Sequence, residues 1–240
     1  MTNIATIIAR GGSKGLPNKA LQLLDGKPLI EWTINHALNA KLLDDVVLSS
    51  DGDQILAIGR RLGINAYRRP AHMASDTATI DHAVCHGTEC WETQFGRRAD
   101  NIVILYGNIA LRPTDLIDRA LEKMETTGCD SVQSVYSVGK NHPYWYKKLS
   151  GPNGDVLELY QNNHVYRRQN LPPVFMLDSG VVVVSRPILF SADRTDPHYY
   201  LGTDQRAIIT EPGDVIDIDT PLDLIFSETV LAHHRRPVGD

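Results

Sequence analysis

Cysteine is scarce, with only Cys85, Cys90 and Cys129 in 240 residues, so a disulfide framework is excluded and a reducing compartment is implied. Cys85, His86 and Cys90 lack the paired Cys and His spacings of a zinc site, and Cys85 falls on the apolar side of a helix-like stretch. No apolar run approaches the roughly 20 residues of a membrane span. Met1-Thr2-Asn3 leads into the first apolar run without a cationic leader, so no secretory signal and a cytoplasmic location are expected. An excess of basic charge is also missing. Lys and Arg total 24 against 29 Asp and Glu, a net charge of −5, which argues against a general nucleic-acid binder. Two common phosphate signatures, GxxxxGK[ST] and GxGxxG, are absent as well.

What remains is ordinary globular composition, 42% hydrophobic and 22% charged, over a length best read as one main domain, residues 1–240, with a small appendage. Residues 4–9 form an apolar or β-branched run, as expected for a strand buried on both faces of a parallel sheet. Ile30, Ile34, Ala37 and Leu38 then recur at helical spacing behind Pro28, and Val46-Val47-Leu48 predicts the next strand. The alternation continues through Asp53–Leu62 (helix), Asn65–Arg69 (strand), Thr79–Trp91 (helix), Ile102–Tyr106 (strand), Thr114–Met124 (helix) and Ser131–Val138 (strand). This pattern predicts an α/β fold with a mostly parallel sheet flanked by helices. Beyond Lys140 the texture changes, and Asn153-Gly154 predicts a hairpin turn within an inserted lobe at 140–178. Val181–Val184 and Val215–Asp219 are expected as late strands, with a final helix at Leu222–His233.

Two constellations carry chemistry. Behind the first apolar run, Arg10-Gly11-Gly12-Ser13-Lys14-Gly15 leads to Lys19, a glycine-rich loop with three cations. Glycine permits positive φ and close approach, and the cations can neutralise a polyphosphate. Gly11, Ser13 and Gly15 also satisfy G-x-S-x-G, the nucleophile-elbow pattern, which makes a serine hydrolase using Ser13 an alternative; Pro17 stands where the elbow needs a helix. The second constellation is Ile216-Asp217-Ile218-Asp219-Thr220. Alternation along an extended segment puts both carboxylates on one face and both isoleucines on the other. Like charges so placed favour a divalent cation between them, and magnesium fits because it takes one or two carboxylates and leaves positions for phosphate and water. The competing reading makes Asp219 the cap of the following helix. Both readings stand at this point.

The loop Arg10–Lys19, Gly26-Lys27-Pro28-Leu29-Ile30, Ser49-Ser50-Asp51, Arg69-Pro70-Ala71, Ala74-Ser75-Asp76-Thr77, Arg168-Gln169-Asn170-Leu171-Pro172 and Asp217-Ile218-Asp219-Thr220 together resemble the acylneuraminate cytidylyltransferases, in the family's order over nearly the whole chain. The resemblance implies a Rossmann-like, GT-A-like nucleotidyltransferase fold that pairs as a homodimer through the inserted lobe. It implies transfer of CMP from CTP to the anomeric hydroxyl of an acidic 2-keto-3-deoxy sugar, with no nucleic acid or membrane partner. By resemblance, Arg10, Gly11, Gly12, Ser13, Lys14, Lys19 and Arg69 bind CTP, and Arg10 and Lys19 stabilise charge towards the leaving pyrophosphate. Asp217 and Asp219 hold Mg2+, and Tyr106, Arg168, Gln169 and Asp178 contact the sugar. Lys147, Lys148 and Arg167 are further acceptor candidates, and Tyr144-Trp145-Tyr146 is a candidate dimer surface. This chain departs from the family's pattern at Tyr106, where the family has glutamine, at Ala20, and at Asp178-Ser179-Gly180-Val181, so the acceptor side is the less familiar half. A non-catalytic nucleotide-binding protein of the same fold remains a further alternative.

Overall fold

The computed structural model describes residues 1–12, 15–73, 78–191 and 198–234. In chain order the elements are β1 (Asn3–Ile8), β2 (Leu23–Leu24), β3 (Lys27–Pro28), α1 (Leu29–Asn39), β4 (Asp45–Ser50), α2 (Asp53–Arg61) and β5 (Asn65–Arg68). Then follow α3 (Ile80–Phe95), β6 (Asn101–Tyr106), α4 (Leu116–Thr127), β7 (Ser131–Ser137), β8 (Lys147–Ser150), β9 (Val156–Leu159) and β10 (Phe175–Ser185). The last are α5 (Arg186–Leu189), β11 (Gln205–Thr210) and α6 (Pro221–His234).

Seven strands form the central sheet in the order β11-β7-β10-β6-β1-β4-β5. All neighbours pair in parallel except those of β10, which runs antiparallel to β6 and to β7. The central strands are apolar on both faces because both faces are covered. Ala5 and Ile7 of β1, Val103 and Leu105 of β6, and Val181 and Val183 of β10 meet α1, α2 and α4 on one side. Their alternates Ile4, Ile102, Ile104, Val182 and Val184 meet α3 residues Val84, Cys85 and Trp91 on the other. Period-two alternation thus feeds two separate cores from single strands.

A third core decides where the chemistry goes. Leu16 from the glycine loop, Leu24, Leu29, Ala110, Leu111, Ile216 and Ile218 pack together, with Leu224, Val230 and Leu231 of α6 against them. This cluster draws the end of the N-terminal loop, the loop after β6 and the acidic segment to one place.

The expected strand at Val215–Asp219 is not a strand of the sheet. Its only strand-like pairing is one antiparallel bridge between Ile216 and Leu111. The apolar alternation there reflects insertion of Ile216 and Ile218 into the third core. The seventh strand is instead β11, which the periodicity did not mark because only Ile208 and Thr210 of its six residues are buried at the sheet edge. The inserted hairpin is present as β8 and β9, with Ser150 opposite Val156 and left-handed Gly151 (φ 81°) and Gly154 (φ 67°) in the connection. His142 ties the base of the lobe: its Nε2 bonds the Pro172 carbonyl oxygen at 3.1 Å while Nδ1 accepts the Tyr144 N–H at 3.1 Å.

Candidate active site

β1 pairs with β4 on one side and β6 on the other, so the chain crosses over in opposite directions from its C-terminal end. Such a switch point leaves a crevice outside the strand ends where ligands bind in open α/β sheets. A cavity of about 340 Å³ lies there, and Arg10, Lys19, Arg69, Tyr106 and Asn108 line it. Four of these five are residues singled out from the sequence; Asn108 was not.

Gly11 and Gly12 do not take positive φ, contrary to the expectation for this loop. The left-handed residue is Asn18 (φ 50°), which opens the short 3-10 turn Lys19–Leu21 and so aims Lys19. Close approach, the other reason for glycine, is real at Gly15. A Cβ there would sit 2.9 Å from the Asp219 backbone oxygen, so only glycine lets the loop lie against the acidic segment. Gly11 donates its N–H to Asp51 Oδ1 at 2.9 Å, an anchor that ties the loop to the end of β4. Ser13 and Lys14 lie outside the described residues, as do residues 74–77.

Lys19 Nζ forms an ion pair and hydrogen bond with Asp219 Oδ1. Asn108 Nδ2 donates to Asp217 Oδ1. Burial, then the neighbouring Asp219 charge, raises the proton affinity of Asp217, while Lys19 and the Asn108 hydrogen bond oppose the shift. The helix-cap reading of Asp219 is decided by its neighbours. Thr220 caps α6: Asp223 donates its N–H to Thr220 Oγ1 at 3.3 Å, and Asp223 Oδ2 accepts the Thr220 N–H at 2.7 Å. This reciprocal arrangement is a capping box, and it leaves the Asp219 carboxylate for Lys19. Two oxygen-donor carboxylates, one crowded by like charge and each bonded to a residue that lines the cavity, Asn108 or Lys19, fit a hard divalent cation. Among the described residues no group of three or more His, Cys, Asp or Glu is arranged to hold a metal, so such a cation must complete its shell with phosphate and water.

Arg69 forms part of the cavity wall. Its side chain is 6% exposed, its Nη2 donates to the Ala9 carbonyl oxygen at 2.9 Å, and its Nη2 stands 4.0 Å from Asp51 Oδ1. Burial lowers its pKa, with Asp51 opposing. The buried Nε has no hydrogen-bond partner, an orphaned donor in the cavity wall of the kind a ligand acceptor satisfies. Tyr106 borders the same space, its phenol pKa pushed up by burial and then by Tyr200 and Asp217.

Three residues assigned to the sugar lie elsewhere. Arg168 and Gln169 sit in an exposed 3-10 turn of the lobe, Arg168–Asn170, and do not line the cavity. Asp178 is buried in a β-bulge, where its carboxylate accepts from Ser134 Oγ, Thr210 Oγ1 and the Gly180 N–H. Its charge faces the fully buried Arg112, whose pKa burial lowers to about 9 with Asp178 opposing. That network is internal and leaves Asp178 no open face for a substrate. Lys148 pairs with Glu158 within the hairpin.

A family profile described as Cytidylyltransferase matches residues 4–173, which includes the glycine loop, Arg69 and the lobe up to Pro173. The chain belongs to the cytidylyltransferase family. Membership makes the activity CTP-dependent nucleotidyl transfer, and nothing in the comparisons supports the hydrolase alternative at Ser13. Over 233 residues, this cytidylyltransferase is 28% identical to the CMP-N,N'-diacetyllegionaminic acid synthase of Legionella pneumophila, covering 96% of the chain and 97% of that protein. It is 36% identical over 124 residues to a pseudaminic acid cytidylyltransferase of Campylobacter jejuni, 51% of the chain and 53% of that protein. Among solved structures, CMP:2-keto-3-deoxy-manno-octonic acid synthetase complexed with CTP superposes with a TM-score of 0.72 at 16% identity, over 98% of the chain and all (100%) of that structure. At that identity the likeness is one of fold, and it agrees with the mostly parallel seven-stranded sheet.

Proposed function

We propose that this cytidylyltransferase transfers CMP from CTP to the anomeric hydroxyl of an acidic 2-keto-3-deoxy sugar of the nonulosonate class, releasing pyrophosphate. The observation that carries the reading is the meeting of Arg10, Lys19 and Arg69 in one cavity at the switch point of the sheet, with Asp219 and Asp217 bonded to its lining residues Lys19 and Asn108. The relatives named for legionaminic and pseudaminic acid supply the acceptor class.

Arg10 and Lys19 lie where charge develops on the leaving pyrophosphate, and fixed cations there stabilise the transition state more than the ground state. Arg69, already held by Ala9 and Asp51, offers its unpaired Nε to a phosphate or nucleotide acceptor. Asp217 and Asp219 would hold the divalent cation, magnesium in this reading, which supplies Lewis-acid polarisation and charge screening at the phosphates. Tyr106 forms the border between nucleotide and acceptor, replacing an amide side chain with a larger phenol. Acceleration then rests on positioning and electrostatics.

The inserted lobe is the proposed homodimer surface. Leu149 is 66% exposed, Leu157 68%, Tyr160 63% and Tyr166 76%, an apolar group on one small hairpin unit that a second copy would cover. Arg168 and Gln169 serve an acceptor only where such pairing carries the lobe to a cavity. We place the reaction in the cytoplasm, consistent with three cysteines that form no disulfide among the described residues. No helix among the described residues is long and apolar enough to cross a membrane.

The test is pyrophosphate release with CTP, magnesium and a panel of nonulosonates and an eight-carbon ulosonate. Release that requires both CTP and one of these acids supports the reading. CTP binding without turnover on any acceptor favours the non-catalytic alternative.

A further inference from the structure

Two adjacent carboxylates need donors to keep them apart and aimed, and Lys19 bonds only one of them, Asp219. Asp217 is held by a residue that neither the glycine loop nor the acidic pair pointed to. Asn108 Nδ2 donates to Asp217 Oδ1, and it lies 3.4 Å from the Ile218 carbonyl oxygen and 3.5 Å from Asp219 Oδ1. The Asn108 carbonyl oxygen in turn accepts the Ile218 N–H at 3.4 Å. Gly107 sets where this residue starts. A Cβ at Gly107 would stand 2.8 Å from Ile30 Cδ1 and 2.9 Å from Ala9 Cβ, so the backbone there is pressed against α1 and the end of β1. Four residues after Gly107, Leu111 bridges Ile216, so the 107–111 loop is the bed on which the acidic segment lies.

We propose that Asn108 is a positioning residue whose amide fixes Asp217 Oδ1 so that both carboxylates present oxygen to one divalent cation. The inference rests on the cation reading given above. A carboxylate oxygen has two lone-pair directions, and a neutral N–H donor on one of them leaves the other for a metal. Lys19 cannot do the same for Asp219 without placing a positive charge beside the cation. Partners of this outer kind orient a ligand and tune its affinity, and their loss costs about 10- to 100-fold in metal affinity or activity.

The experiment uses Mn2+ as the probe, with the full chain, with and without CTP, and binding followed by the electron paramagnetic resonance of free Mn2+. Asn108→Leu keeps the branched shape and removes the donor; Asn108→Ala is read in the same way if the leucine variant does not fold. The expected result is a rise in the Mn2+ dissociation constant of about 10-fold, clearly larger than any rise in the KM for CTP at saturating Mn2+. A folded variant whose Mn2+ affinity stays within twofold of wild type overturns the positioning role while leaving the cation reading intact. An equal rise in both constants also overturns it, because that marks general collapse of the cavity. Wild-type protein that binds no Mn2+ even with CTP overturns the cation reading and the inference with it.

Discussion

Lys19 has two competing claims on its charge: the Asp219 carboxylate, which it pairs in the ligand-free geometry, and the CTP triphosphate, which it faces in the proposed reaction. Replacing it by methionine keeps most of the stem and removes the charge. The pair is partly solvated, with side chains 22% and 61% exposed, so it has the strength of a surface ion pair, about 0.5–1 kcal/mol. Freed from that competition, Asp219 should bind a divalent cation alone about two- to fivefold more tightly in Lys19→Met. A charge-assisted bond to phosphate is worth about 1.5–3 kcal/mol, so CTP affinity should fall by about 10- to 150-fold in the same variant. The opposite signs are the signature. Calorimetric titration of cation without nucleotide, and of CTP at fixed cation, reads both on one protein. By linkage, whatever CTP does to cation affinity through Lys19, the cation does to CTP affinity. If cation-alone affinity is unchanged or falls with CTP affinity, Lys19 does not hold Asp219 in solution and the reasoning fails.

Other outcomes follow from single contacts. Asp217→Asn should cut turnover by about 100-fold or more with the melting temperature little changed, since a neutral amide cannot hold the cation; near-normal kcat would remove Asp217 from the site. Gly15→Ala drives a methyl to 2.9 Å from the Asp219 backbone oxygen, so kcat/KM should drop by about tenfold as the loop and acidic segment separate. Steady-state kinetics showing wild-type efficiency would mean that the loop does not rest on Asp219. His36 supports the loop after β6 through the Ala110 carbonyl oxygen at 3.2 Å, and burial, then Arg112, lowers its pKa to about 4. Unfolded, that ring takes a proton near pH 6.5, so its stabilisation is complete above about 6.5 and is lost as pH falls towards 4, by about 3 kcal/mol. Denaturant titrations from pH 7 to 4 should show a shallower decline for His36→Gln; parallel curves would contradict the assignment.

The parts of this fold that could be read from the sequence are those in which a local period reflects burial. Residues 4–8 of β1, 102–105 of β6 and 181–184 of β10 are apolar or β-branched because helices cover both faces, and Asp217 and Asp219 alternate with isoleucines that enter a core. β11 escaped because an edge strand with one partner and a half-exposed pattern, Gln205-Arg206-Ala207-Ile208-Ile209-Thr210, has no such period. Asp178 was placed with the sugar through the family resemblance, where it precedes the segment Ser179-Gly180-Val181 that departs from the family's pattern. Its actual partners, Ser134 and Thr210, lie 44 and 32 positions away, and only tertiary structure reveals that they enclose it. Asn108 was missed for the same reason: its bond to Asp217 spans 109 positions. The one local hint was a polar residue behind Gly107 at the end of a strand buried at all but its last residue.

The central claim is cytidylyl transfer to an acidic keto sugar, and the most direct measurement is mass-spectrometric detection of the product. Purified protein, CTP and magnesium are incubated with each nonulosonate in turn, beside the Asp217→Asn variant. The account predicts a CMP ester of at least one acid, formed in step with pyrophosphate and absent with the variant. Hydrolysis of CTP to CMP without any sugar ester, or equal product from the variant, would contradict it.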